Sequence, residues 1–241
     1  MSLLAVVLIL SCQSNKTEQK AKPEVNQSIL AEMNPIKLNV GIVIVNGVYN
    51  SEMMAPYDIF HHSRFHTDSS MVVFTVAPSL DEITTFEGIR QRPDFDFAGS
   101  PSIDVLVVPS AEHSLDTDLQ NETLINFVRE KGNAARYMMS LCDGAFVLAK
   151  AGLLDNLKST TFPDDIPAYK KQFPNLEVIE SVSFVHDGKA VTSAGGAKSY
   201  EPSMYLLAHI YGDKVAIGVA KGMVLDWPQM KSTVAKLIVN R

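Results

Sequence analysis

Two patterns of apolar residues alternate along this chain. Short β-branched runs with few charges occupy Lys37–Asn46, Met71–Val76 and Asp104–Val108, and Ala135–Leu141 is a short apolar run with Tyr and Met. Such runs predict central parallel strands buried on both faces. Between them the spacing becomes helical. Ser51–Phe60 is expected to start from a Ser51 cap, and Asn121–Lys131 sets Leu124, Phe127 and Val128 on one face before Gly132. A more polar stretch, Ile83–Arg92, reads as a small edge hairpin. Later come short strands at Leu176–Ile179, Val182–Val185 and Ala190–Thr192, with Asp187-Gly188 as a hairpin turn. Helices around Pro202–Tyr211 and Asp213–Leu225 close the pattern, the second stopped by Pro228. Strands alternating with helices predict an α/β fold, a doubly wound and mostly parallel sheet covered on both faces. Ligands in such sheets bind outside the carboxyl ends of the strands.

The 241 residues are enough for one large α/β domain or two small ones. A formal charge of −6 argues against a nucleic-acid partner, which selects basic surfaces. The front end stands outside this pattern. Leu3–Leu10 is wholly apolar, but as a helix it would span roughly 12 Å against roughly 30 Å of hydrocarbon. It reads instead as a secretory signal over residues 1–11. Leu-Ser-Cys at its end looks like a bacterial lipoprotein signal, cleaved before Cys12, which is then lipidated. No Lys or Arg precedes the apolar run, a departure from that pattern. Residues 12–35, rich in Lys, Glu, Gln and Asn, read as a flexible tether, so the domain is expected over 36–241. The expected location is exported and membrane-anchored.

Cys142 falls where the strand pattern of Ala135–Leu141 turns helical. Phe146, Val147 and Ala151 follow at helical spacing, and Gly152 supplies a stop. A cysteine on a strand-to-helix turn, with Gly144 giving the backbone room, has the geometry of a nucleophile elbow. The first turn of a helix favours anions, so sulfur held there is expected to lean toward thiolate. An ordinary buried cysteine filling space fits the same turn.

The stretches SLCDGAFVLAKAGLLDNLKSTTFP, GIVIVNGVYNSEMMAPYDIF (Gly41–Phe60), DVLVVPS (Asp104–Ser110) and DGKAVTSAGG (Asp187–Gly196) together resemble the ThiJ/PfpI family of class I glutamine-amidotransferase-like proteins. The likeness runs from Lys37 to about Trp227, nearest the branch of isonitrile hydratases and regulator sensor domains. It implies a flavodoxin-like fold, a homodimer, a small-molecule substrate or ligand, and a cysteine nucleophile acting as lyase or hydrolase. No cofactor or metal is expected, His62 and His66 notwithstanding.

The resemblance gives Glu52 the role of carboxyl partner to the sulfur, although an acid in a helix's first turn also suits the dipole. Asp143 departs from the small or hydroxylated residue common in relatives. A helix cap is its first reading and a general acid or base its second, and its backbone N–H is an oxyanion donor in either case. Ser110 and Ala111 stand where the family has a Gly-Gly whose N–H groups complete the oxyanion hole. His113 follows as a candidate base. Phe162 occupies the place of a histidine frequent in relatives, which excludes a Cys–His pair there and disfavours peptidase chemistry. Ser193 and the glycines after it either line the pocket or simply make the loop. Two alternatives to catalysis stand beside this reading: an oxidation-sensing protein using the same cysteine, and a silent small-molecule-binding domain.

Overall fold

A computed structural model describes residues 24–33 and 36–239. Residues 1–11 and Cys12 lie outside the described residues. The first described element, helix α1 (Gln27–Glu32), belongs to the segment read as a tether. Asn26 caps it and also grips Asp94, with its backbone N–H donating to the carbonyl and its Nδ2 to Oδ1. Val25, Ile29 and Met33 pack on the core, and Glu32 pairs with Arg64. This part of the tether is therefore docked, through Val25 before the helix, Ile29 within it and Met33 after it.

Strand β1 (Leu38–Val43) leads to helix α2 (Asn50–His62), then β2 (Met71–Ala77). The expected hairpin forms as β3 (Ile83–Thr84) and β4 (Arg90–Gln91), an antiparallel pair apart from the main sheet. Next come β5 (Phe95–Asp96), β6 (Val105–Val108), α3 (Glu122–Ala134), β7 (Tyr137–Leu141) and α4 (Gly144–Lys150). Strand β8 (Lys158–Ser159), helix α5 (Ile166–Gln172) and β9 (Glu177–Val178) follow, β8 and β9 pairing apart from the main sheet. The chain closes with β10 (Phe184–Asp187), β11 (Ala190–Ser193), α6 (Tyr200–Tyr211), α7 (Asp213–Gly222), α8 (Trp227–Thr233) and β12 (Lys236–Val239).

The sheet order is β12-β10-β11-β7-β6-β1-β2-β5. Every neighbouring pair is parallel except β10 with β11. One core is made with α2, α6, α7 and α8, and the other with α1, α3, α4 and α5. Both faces are covered, as the unbroken apolar runs require. The fold is the mostly parallel, flavodoxin-like sheet expected from the sequence.

Local differences have local causes. Tyr49, not Ser51, occupies the start of α2 and lends no side-chain cap; the Asn50 N–H is met instead by Glu87 of the hairpin. Asp187 pairs with Ala190, so the tight loop is Gly188-Lys189, one position later than expected. Pro228 sits in the first turn of α8, where a missing N–H does no harm; it starts a helix rather than ending one. The preceding helix stops at Gly222, and Val224 takes φ +56°. Helix α5 and strand β12 were not legible, being short and mixed in polarity.

Candidate active site

Strand β7 lies between β6 and β11, and its carboxyl end delivers the chain to Cys142. The Cys142 N–H extends the ladder by donating to the Ser193 carbonyl at 3.0 Å. To pass straight into α4 the backbone takes φ +52°, in the left-handed region that side chains disfavour. Such strain persists only where the surroundings over-determine it. Here the single proton of Thr161 Oγ1 is shared between the Cys142 carbonyl, 3.1 Å away, and the Asp143 carboxyl, and Gly144 lets α4 meet β6. A Cβ on Gly144 would stand 2.0 Å from the Val108 carbonyl oxygen, so only glycine fits.

Glu52, in the first turn of α2, is buried with both carboxyl oxygens in use. Oε2 accepts from the Ser110 N–H at 2.9 Å and Oε1 from the Gly196 N–H at 3.1 Å. These donors belong to the loops after β6 and β11, the strands flanking β7, so Glu52 bridges directly over the elbow. The Cys142 thiol is among the groups that act on its carboxyl. Burial raises its pKa, and the two backbone N–H groups and the thiol oppose that rise.

Asp143 is at the N-cap position of α4 but makes no side-chain cap bond. It turns inward instead. Oδ1 accepts from Thr161 Oγ1 at 2.9 Å, and Cys142 Sγ approaches Oδ2 at 3.6 Å. Burial pushes its carboxyl up to about 7, against the Thr161 hydrogen bond. The cap expectation fails because the left-handed residue before Asp143 swings its side chain toward the sulfur.

The thiolate expectation also fails. Cys142 is 8 % exposed. Burial first, then the charges of Glu52 and Asp143, drives its pKa far up. The Asp143 N–H and the Ser110 hydroxyl oppose this without reversing it. Desolvation and two carboxyl groups outweigh one short helix end, and the resting form is the thiol.

Two of the three oxyanion donors read from the sequence, those of Ser110 and Ala111, are occupied. The Ser110 N–H serves Glu52, and the Ala111 N–H donates to Ser114 Oγ at 2.9 Å. His113 lies elsewhere: half-exposed, 3.6 Å from Asp116, and lining a separate cavity of about 380 Å³ with Asp118 and Asn46. Ser193 is fully buried and its Oγ donates to the Ser140 carbonyl, so it ties β11 to β7 and does not line the pocket. Phe162 does line one. It faces a cavity of about 540 Å³ together with Thr161, Ile166, Ser183, Gly195 and Lys198. Thr161 and Gly195 connect this space to the elbow.

Two contributors went unread in the sequence. Thr161 holds both Cys142 and Asp143, and only its place beside Phe162 in STTFP hinted at the site. Tyr49 feels Cys142, Glu52 and Asp143 at its phenol, whose pKa is raised chiefly by burial. Its ring lies 4.6 Å from that of Phe86, in the β3–β4 hairpin.

A doubly wound sheet carrying a cysteine elbow under a bridging glutamate defines a class: α/β proteins with a single thiol at the centre of the strand ends. The DJ-1/PfpI family model matches residues 39–207, and the chain belongs to that family. It is 27% identical over 176 residues to isonitrile hydratase of Pseudomonas putida, covering 73% of each chain. It is 32% identical over 102 residues to the HTH-type transcriptional regulator CdhR of Pseudomonas aeruginosa, a match spanning 42% of this chain and only 30% of the regulator. Among solved structures, a ThiJ/PfpI family protein from Pseudomonas syringae superposes with a TM-score of 0.69 at 19% identity, over 90% of this chain and 83% of that one. DJ-1beta of Drosophila melanogaster gives 0.68 at 19% identity, over 78% and 98%.

Proposed function

We propose that this protein adds Cys142 to the electrophilic carbon of a small molecule and completes the reaction with water, as a hydratase or lyase. The observation that carries this reading is the bridge of Glu52 over the strained elbow, which sets an acceptor for the thiol proton beside the sulfur. Because the resting sulfur is a thiol, attack requires that proton to leave as the bond to carbon forms. Glu52 is placed to take it and to return it when sulfur departs. Compounds with a carbon–nitrogen multiple bond are the substrate class, supported by the similarity to an isonitrile hydratase and by the apolar cavity wall at Phe162. A buried thiol with a raised pKa does not favour peroxide oxidation, so the oxidation-sensing alternative gains no support.

The test is hydration of a small alkyl isocyanide to the formamide. Cys142→Ser is expected to abolish it, and Glu52→Gln to slow it by about 10²-fold or more. Turnover retained by Cys142→Ser would remove the nucleophile. The proposal extends to location: cleavage before Cys12 and acylation of that cysteine would anchor the domain outside the cytoplasm. Labelled palmitate should then enter the wild-type chain and not Cys12→Ser. A homodimer, common in the family, is the expected state by sedimentation.

A further inference from the structure

With Phe162 in place of an imidazole and the Ser110 and Ala111 N–H groups committed, nothing so far described protonates the atom that gains charge as sulfur attacks. We propose that Asp143, held by Thr161, is the acid that protonates the substrate's heteroatom or terminal carbon while Cys142 adds. This rests on the reaction proposed above and assigns its second proton.

The geometry divides the work between the two carboxyl groups. Glu52 accepts backbone N–H bonds on both oxygens, an arrangement that favours the carboxylate and suits a base. Asp143 accepts from the Thr161 hydroxyl on Oδ1 and from the resting Cys142 thiol on Oδ2 at 3.6 Å; once that thiol proton is directed to Glu52, Oδ2 is open to carry a proton of its own beside the sulfur. After burial, the groups acting most on Asp143 are Thr161, Asp165, Cys142 and Glu52. Its carboxyl is raised to about 7, the range in which a group can both give and regain a proton near neutrality. Thr161, which fixes it, also borders the cavity of about 540 Å³.

The steps balance. The thiol proton passes to the Glu52 carboxylate as the S–C bond forms; one C–N π bond breaks, and its electrons take the Asp143 proton. Water then adds to the same carbon: its proton goes to the Asp143 carboxylate and the remaining C–N π pair moves onto nitrogen, from where it re-forms the π bond as sulfur leaves, giving the imidic-acid tautomer of the formamide. The C–S bond breaks, and sulfur recovers its proton from Glu52. The net change is one water added, with all three side chains restored.

Two probes of the intact protein separate an acid from a structural residue. A small terminal epoxide needs a proton on its oxygen as sulfur opens it, whereas iodoacetamide loses iodide unaided. The readout is the ratio of the two labelling rates at pH 7, with the labelled residue identified by mass spectrometry. Asp143→Asn keeps the acceptor for Thr161 and is expected to lower the ratio at least tenfold. Thr161→Val should lower it as well, and Thr161→Ser should restore it. A smaller fall in Asp143→Asn, or an equal change with both probes, overturns the assignment. Label on a residue other than Cys142 would instead overturn the nucleophile itself.

Discussion

Gly195 lies so close to Cys142 that a Cβ on the glycine would stand 2.3 Å from the Cβ of the cysteine. The glycine also takes φ +73°, which an L side chain adopts only under strain. Loop and elbow are thus fitted backbone to backbone, and the next N–H in that loop holds Glu52. Gly195→Ala is expected to cost about 2 kcal/mol or more of stability, read by urea denaturation. A variant as stable as wild type would show that the loop can move away freely.

Glu52→Gln tests the bridge itself. Both carboxyl oxygens accept a backbone N–H, so the amide's own NH₂ must face one of those donors. A loss of about 1–3 kcal/mol is expected from that unsatisfied pair. Unchanged unfolding would mean the loops after β6 and β11 are not held by this side chain.

The thiol should be slow. With its pKa driven up by burial and two carboxyl groups, Cys142 alkylation by iodoacetamide is expected to keep rising beyond pH 9 without a plateau. Removing one negative charge with Asp143→Asn should speed it at pH 8. A plateau near pH 7 in the wild type would contradict the electrostatics described for the elbow.

Asp143 also gives stability a pH dependence of definite sign. The folded carboxyl titrates near 7 and the unfolded one near 4, so between these values the folded chain holds a proton the unfolded chain has released. Stability is therefore greatest on the acid side of this window and falls as pH rises through it. Relative to Asp143→Asn, the wild type should lose roughly 1–3 kcal/mol between pH 4.5 and 8. Parallel pH profiles for the two would remove Asp143 as the source.

The sequence was a good guide where one pattern decided the outcome. Apolar runs marked the central strands, and the change of period after Leu141, with Gly144, marked the elbow. It was a poor guide where outcomes depended on what distant segments donate. Nothing near Ser110 or Ala111 reveals that Glu52 and Ser114 occupy their N–H groups. Asp143 at a helix start reads as a cap until Cys142 is known to be left-handed. The helix-end argument for a thiolate was sound in sign, but burial and the nearby carboxyl groups are set by tertiary packing and proved larger. Thr161 offered only a hydroxyl next to an aromatic residue, too common a pair to single out.

Strand β12 carries a consequence for how the chain tolerates handling. It pairs with β10, and Ala235, just before it, accepts from the Ser183 N–H and borders the cavity beside the elbow. Trimming the polypeptide back to Thr233 would therefore do two things at once, baring a ladder edge open to sticking and taking out a piece of the chamber wall.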